Sequence, residues 1–98
     1  MGQAACRLLR IRGRVQGVGF RVFVQDEAIR LDLKGWVRNR RDGSVETLVF
    51  GENAAVENLT ARLREGPPGA FVVAVDARES SSEALRDCEG RFEILATM

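Results

Sequence analysis

The sequence predicts an α+β fold in which two helices pack on one face of an antiparallel sheet. Two observations lead to this prediction. Short segments rich in Val, Ile, Leu and Phe have the composition of strands, and two stretches between them carry apolar residues at helical spacing. Along the chain the segments follow the order β-α-β-β-α-β, with a short additional strand at the end. That order is typical of the split β-α-β, ferredoxin-like sandwich.

The first strand and the first helix are separated by a glycine-rich loop. Residues 6–13 are predicted as a strand, because Leu9 and Ile11 fall on one face. A helix is predicted from residue 21 to about residue 33, and Gly35 is expected to end it. The apolar side chains that define this helix recur at i, i+4 and i+7: Val24, Ala28 and Leu31.

The next four elements are a hairpin, a helix and a strand. Two strands, residues 36–40 and 44–50, are joined by Arg41-Asp42-Gly43, a strong hairpin signal. Asn53 is a candidate helix cap. The second helix ends at the break 66–69 and is followed by a valine-rich strand at 71–77; residues 92–95 form the last strand. The apolar stripe of the second helix consists of Val56, Leu59 and Leu63.

Length and composition indicate one domain, residues 1–98, with residues 1–5 expected to be flexible. No apolar run approaches the roughly 18 residues of a membrane span, and no export signal is evident. Two cysteines, Cys6 and Cys88, do not make a disulfide framework, so both are expected as thiols in the cytoplasm. The short chain also predicts a monomer.

The net charge of +1 conceals a strong asymmetry along the chain. Residues 1–41 hold ten basic and three acidic side chains, whereas residues 42–98 hold five and eleven. The basic half would attract a small anion. A nucleic-acid partner is not expected, because the total charge is nearly neutral and there is no Tyr. The absence of His excludes His-dependent triads and nearly all zinc sites. Neither a metal nor another cofactor is expected.

The most informative segment is Gly13-Arg14-Val15-Gln16-Gly17-Val18-Gly19-Phe20-Arg21. Its glycines allow a tight loop with inward-facing N–H groups, and it leads into a predicted helix that begins at Arg21. Backbone donors, a helix N-terminus and a guanidinium together predict an anion cradle, most simply for phosphate. The simpler alternative is a tight turn followed by a solvated arginine.

A second segment, Gly35-Trp36-Val37-Arg38-Asn39, follows the first helix. Residues 15–21 together with residues 35–46 resemble the signature of the acylphosphatases, and the resemblance extends over about residues 6–95. It implies hydrolysis of acyl phosphates to a carboxylate and inorganic phosphate. Arg21 would hold the phosphate and Asn39 would position the attacking water. The implied phosphate-binding loop consists of Val15, Gln16, Gly17, Val18, Gly19 and Phe20.

The residue types suit this chemistry. A planar guanidinium can hold two phosphate oxygens at once, and a neutral amide can orient water without adding negative charge. Taken alone, Asn39 is also a common strand-end or turn residue. Trp36 is expected to pack in the sheet, and a solvated basic edge is expected from Arg38, Arg40 and Arg41.

Two alternatives differ from this interpretation. Cys6 and Arg12 match the Cys-x5-Arg spacing of cysteine phosphatases, but the residues between them include no glycine and are predicted as strand. The stronger alternative is a non-catalytic module on the same fold that binds phosphate or an acyl phosphate for regulation. Neither the physiological acyl group nor the role of residues 79–90 can be inferred from the sequence.

Overall fold

The structure, a computed structural model, describes residues 3–81 and 91–98. Within these ranges the chain forms five strands and two helices in the predicted order. The strands are β1 (Ala4–Arg14), β2 (Lys34–Asn39), β3 (Val45–Glu52), β4 (Phe71–Glu79) and β5 (Phe92–Ile94). The helices are α1 (Phe20–Arg30) and α2 (Asn53–Glu65). Cys88, expected as a thiol, lies outside the described residues.

The strands form one sheet in the order β4-β1-β3-β2-β5. The first four strands pair antiparallel, as predicted. The terminal strand β5 instead lies parallel to β2, with Ile94 opposite Val37. Parallel neighbours need a long connection, and β5 follows β4 only after crossing to the opposite edge of the sheet. This arrangement places Ile94 near the end of β2.

Both helices pack on the same face of the sheet. Alternate residues of each strand point to that face, and the apolar ones among them are buried beneath the helices. Leu9 and Ile11 of β1 are fully buried there, as is Val37 of β2. The predicted apolar stripes of both helices join the same core, which confirms the two-layer fold. The helical members of this core are Phe20, Val24, Ala28, Val56, Leu59 and Leu63.

The end of α1 differs from the prediction. The helix ends at Arg30, and Asp32 adopts a left-handed φ of 59°. Asp tolerates this conformation better than most residues, so no glycine is needed at the helix end. Gly35 instead lies within β2, where an added Cβ would meet the carbonyl oxygen of Leu48. Its role is therefore close approach between β2 and β3.

The start of α2 also differs slightly, since Glu52 occupies the N-cap and Asn53 is the first helical residue. The Asn53 N–H donates to the carbonyl oxygen of Gln3 at 2.7 Å. Ala4 and Ala5, part of the segment expected to be flexible, pair with Glu52 and Gly51 in β3. Among residues 3–81 and 91–98, no helix is long and apolar enough to cross a membrane.

Candidate active site

The glycine-rich loop turns tightly into the N-terminus of α1. Gly17 and Gly19 have φ values of 75° and 77°, in the left-handed region that favours glycine. Gly19 is the N-cap of α1, and its carbonyl oxygen accepts a hydrogen bond from Phe23 N at 3.1 Å. In the described part of the chain, no side chain forms a capping hydrogen bond at this end of the helix. The first N–H groups of α1 are therefore donors that an anion can use.

Arg21 lies in the first turn of α1 and is half-buried. Within the described part of the chain, its guanidinium forms no ion pair and no side-chain hydrogen bond. A permanently charged group without a carboxylate partner beside an uncapped helix N-terminus is suited to an external anion. The structure thus places the Arg21 guanidinium beside the glycine-rich loop, and phosphate binding there stays a prediction.

Asn39 is the last residue of β2 and lies on the same face as Val37, two residues earlier. Its backbone carbonyl accepts a hydrogen bond from Met98 N at 3.2 Å. Its side-chain Oδ1 is buried and has no hydrogen-bond partner, unlike every other buried side-chain oxygen or nitrogen in the described ranges. Leaving a buried acceptor unpaired costs about 1–3 kcal/mol. Among residues 3–81 and 91–98, this buried acceptor is therefore left without a partner.

These groups meet in one cleft of ≈ 220 Å³. The cleft brings together Arg21, Asn39 and most of the predicted loop. Its lining residues are Val15, Gly17, Gly19, Phe20, Arg21, Val22, Asn39 and Ile94. Two predicted loop residues, Gln16 and Val18, do not line it. Val18 packs against the hydrophobic core.

Gln16 connects the loop to the β2–β3 hairpin. Its Nε2 donates hydrogen bonds to the carbonyl oxygens of Arg40 and Ser44, each at 2.8 Å. Because Arg40 directly follows Asn39, this connection fixes the loop relative to the end of β2. The sequence analysis missed this positioning role, since bonds to backbone oxygens leave no residue pattern that identifies them.

The hairpin turn is fixed locally as well. Asp42 Oδ1 accepts hydrogen bonds from Ser44 Oγ at 2.6 Å and from Ser44 N at 2.9 Å. These two hydrogen bonds, with smaller contributions from nearby arginines, hold the pKa of Asp42 below its ordinary value. The turn lies where Arg41-Asp42-Gly43 predicted a hairpin, and the hydrogen bonds from Ser44 to the Asp42 side chain make it an Asx-turn. The turn keeps Asn39 in position at the strand end.

The expectation of a solvated basic edge is wrong for Arg38 and Arg40. Both pair with Glu46 Oε1, at 2.9 and 3.5 Å, and Glu46 is only 5% exposed. Arg10 reaches Glu46 Oε2 at 3.4 Å. The Arg38 guanidinium also lies 4.6 Å from the Trp36 ring centre, so Trp36 packs in the sheet as expected. Arg10, Arg38 and Arg40 are therefore ion-paired with the buried Glu46 carboxylate, whereas Arg21 forms no ion pair with a described residue.

A second cleft, of ≈ 260 Å³, lies on the sheet face away from the helices and is lined in part by Arg10, Arg12 and Asp76. Two of its arginines are paired, Arg10 with Glu46 and Arg12 with Asp76 at 3.3 Å. Across residues 3–81 and 91–98, no three His, Cys, Asp or Glu side chains are grouped as metal ligands. The cleft beside α1 is thus the better candidate for phosphate chemistry.

Comparisons with known proteins agree with this geometry. The sequence model of the acylphosphatase family matches residues 7–94. An acylphosphatase from Rhodopseudomonas palustris (strain BisB18) is 50% identical over 94 residues, which cover 94% of this chain and 95% of that protein. An acylphosphatase from Nitrobacter hamburgensis (strain DSM 10229 / NCIMB 13809 / X14) is 55% identical over 95 residues, with the same coverage.

Solved structures give the same result. The crystal structure of acylphosphatase from Bacillus subtilis is similar with a TM-score of 0.85 and 39% identity, over 95% of this chain and 99% of that one. Full-length HypF, in its phosphate- and nucleotide-bound form, contains a similar region with a TM-score of 0.85 and 30% identity. That match covers 99% of this chain but only 12% of HypF. On the family match, the close relatives and the shared fold, this chain belongs to the acylphosphatase family of hydrolases.

Proposed function

We propose that this acylphosphatase hydrolyses acyl phosphates in the cleft between the glycine-rich loop and the end of β2. The loop Val15–Phe20 and Arg21 bind the phosphoryl group, and Asn39 orients the attacking water. One observation carries the proposal. Among residues 3–81 and 91–98, Asn39, whose buried Oδ1 has no hydrogen-bond partner, lines the same cleft as Arg21, which forms no ion pair there, and as Gly19, the N-cap of α1.

Binding of the phosphoryl group follows from the donors at the cleft. The left-handed glycines turn the loop so that backbone N–H groups and the start of α1 face one anion. Arg21 adds a planar fork of donors that matches two phosphate oxygens. The phosphoryl transition state carries negative charge on its peripheral oxygens, and preorganised donors stabilise that charge without further rearrangement.

Hydrolysis needs a water placed in line with the leaving group. Asn39 Oδ1 accepts a hydrogen bond from this water, and the neutral amide adds no negative charge near the phosphate. The water oxygen attacks phosphorus and the bond between phosphorus and the acyl oxygen breaks. Its electron pair leaves with the carboxylate, a good leaving group that needs little acid catalysis.

The proton of the attacking water passes to an oxygen of the substrate's own phosphoryl group. This part of the proposal rests on the sequence, which contains no His to act as a base near neutral pH. A pH–rate profile checks it. We expect no enzyme base with a pKa near 7, and an essential base titrating there would contradict the proposal.

The alternative of a non-catalytic binding module is not favoured. Relatives that cover nearly the whole chain at about half identity are acylphosphatases. HypF carries the similar region as a small part of a much longer chain, whereas the acylphosphatase from Bacillus subtilis is covered almost completely. The relatives and the solved structure that are acylphosphatases support turnover by this domain rather than binding alone.

We further propose that the enzyme needs no metal or other cofactor, acts as a monomer in the cytoplasm and binds no nucleic acid. Arg21 and the backbone donors supply the positive field that a metal provides in many phosphoryl-transfer enzymes. The nearly neutral net charge supports the absence of a nucleic-acid partner. Activity that persists in excess chelator, and a monomeric mass in solution, are the expected results.

Isotope labelling tests the reaction itself. Benzoyl phosphate is hydrolysed in ¹⁸O-labelled water with chelator present, and the products are separated for mass spectrometry. We expect the label in inorganic phosphate, since water attacks phosphorus. Label in benzoate would show attack at the carbonyl carbon and would contradict the role given to Asn39. Phosphate binding without any turnover by folded protein would support the binding-module alternative.

A further inference from the structure

Two partly exposed apolar side chains line the cleft together with the proposed phosphate cradle. Val22 follows Arg21 in the first turn of α1 and is 54% exposed. Ile94 belongs to β5 and is 38% exposed. Both line the same cleft as Arg21 and Asn39 although they come from distant parts of the sequence. Exposed aliphatic side chains beside a binding site provide a surface for an apolar part of a ligand.

The positions of these two side chains are fixed by regular structure. Ile94 lies opposite Val37, which precedes Asn39 by two residues on β2. Leu95 N donates to the Val37 carbonyl oxygen at 2.9 Å and so continues the pairing past Ile94. Val22 is held by the helix whose N-terminus forms the cradle. The apolar pair is therefore preorganised relative to both proposed functional residues.

The remaining side chains that line the cleft offer no hydrogen bond to a polar acyl group. Among the described residues that line it, Arg21 carries the only charge and Asn39 has the only other polar side chain. Both are assigned to phosphate and water. An acyl group that carries a charge or hydrogen-bonding groups would lose its hydration here without gaining a partner. An aliphatic or aromatic acyl group would gain burial against Val22 and Ile94.

We propose that Val22 and Ile94 form an acyl-binding rim that selects acyl phosphates with larger aliphatic or aromatic acyl groups over small or polar ones. The proposal rests on the proposed function, because the phosphoryl group must lie at Arg21 for the acyl group to reach the rim. It assigns substrate specificity to two residues outside the loop and strand-end motifs.

Selectivity between two substrates tests the rim. We compare kcat/KM for benzoyl phosphate and acetyl phosphate in the wild type, Val22→Thr, Ile94→Thr and the double variant. Thr keeps the branch at Cβ and the strand propensity, while a hydroxyl replaces one methyl of Val22 or the ethyl group of Ile94. The quantity compared is kcat/KM for benzoyl phosphate divided by kcat/KM for acetyl phosphate. The intrinsic reactivities of the two substrates cancel when this ratio is compared between a variant and the wild type. We expect the ratio to fall about five- to tenfold in the double variant, with acetyl phosphate changed by less than about twofold.

Ile29→Thr is the matched control. Ile29 lies on the same helix α1 and is 60% exposed, but it does not line this cleft. We expect it to leave the substrate ratio unchanged. An unchanged ratio in the double variant would overturn the rim. If kcat/KM then falls equally for both substrates, the substitutions have a merely structural effect.

Inhibition by inorganic phosphate separates this proposal from the proposed function. We expect the phosphate inhibition constant to stay unchanged in the rim variants and to rise in Arg21→Ala. Loss of phosphate inhibition in Arg21→Ala together with an unchanged substrate ratio in the rim variants would overturn the rim alone. An unchanged phosphate inhibition constant in Arg21→Ala would overturn the placement of the phosphoryl group, and the rim with it.

Discussion

Gln16 Nε2 donates a hydrogen bond to the carbonyl oxygen of Arg40 at 2.8 Å. This contact joins the loop that leads to Arg21 with the residue that directly follows Asn39. The two proposed functional residues lie on different elements, one at the start of α1 and the other at the end of β2. The geometry of the cleft therefore depends on a residue whose own side chain does not line it.

We expect Gln16→Ala to lower both stability and turnover. The substitution removes two hydrogen bonds, for a loss of about 1–3 kcal/mol in the free energy of unfolding, measured by urea denaturation. A shift of Asn39 relative to the phosphate should lower kcat by roughly tenfold or more while the phosphate inhibition constant changes little. Gln25→Ala, which removes one hydrogen bond to the Phe92 carbonyl oxygen outside the cleft, should retain kcat. Equal kcat values in the two variants would argue against the positioning role.

Arg21→Lys should abolish most activity although it conserves the charge. A Lys ammonium is a point charge and cannot offer the paired donors that match two phosphate oxygens. We expect kcat/KM for benzoyl phosphate to fall by at least about 100-fold. Near-normal turnover in this variant, with an unchanged fold by circular dichroism, would show that charge alone is sufficient.

Gly19→Ala should impair the cradle through the backbone. At φ 77° an L-residue is strained by about 1–2 kcal/mol, although an added Cβ would meet open space. Relief of that strain would move the first N–H groups of α1, so phosphate should bind more weakly. Gly69→Ala is the matched control, because Gly69 has φ 92° and its Cβ would make only ordinary contacts. The control should lose similar stability but keep its phosphate affinity; a similar loss of affinity in both variants would contradict the prediction.

Stability should depend on pH through Glu27, which connects α1 to α2. Its Oε1 accepts hydrogen bonds from Arg30 at 2.7 Å and from Arg62 at 3.3 Å, and these lower the pKa of Glu27 below its ordinary value of 4.5. The folded state thus binds this proton less readily than the unfolded state. The stabilisation is fully present above the unfolded-state pKa and is lost as pH falls through the folded-state pKa.

Melting temperatures of wild type and Glu27→Gln check this dependence. Since both arginines are partly exposed, the effect should be small, a difference in Tm of about 2–6 °C at about pH 7. At about pH 3 the difference should shrink, because protonated Glu27 resembles Gln. A difference that stays constant over this range would show that the ion pairs contribute nothing specific to the charge.

Periodicity in the sequence was sufficient to predict the layers of the fold. Leu9 and Ile11 alternate toward the core of the sheet, and the stripe from Val56 to Leu63 follows the helical repeat. The direction of β5 could not be predicted in this way, since a three-residue strand has no pattern that distinguishes parallel from antiparallel pairing. The end of α1 was misplaced because Asp32, not a glycine, takes the left-handed conformation.

In the candidate site, too, some features could be predicted from sequence patterns and others could not. Glycine spacing and residue chemistry pointed to the cradle, whereas the role of Asn39 was implied only by the resemblance to the acylphosphatases. The pairing of Arg38 with Glu46 depends on strand register, which places the two residues opposite each other in β2 and β3. The contacts of Gln16 and the buried Oδ1 of Asn39 depend on tertiary packing. Neither leaves a local pattern in the sequence.

The most direct test of the account is the hydrolysis of benzoyl phosphate by wild type and Asn39→Ala, with chelator present and the folding of both proteins verified. If Asn39 orients water, kcat should fall by at least about 100-fold in the variant while the inhibition constant for inorganic phosphate stays within about threefold. Equal losses of turnover and of phosphate affinity would assign Asn39 to phosphate binding instead. Undiminished turnover in Asn39→Ala would contradict the central claim outright.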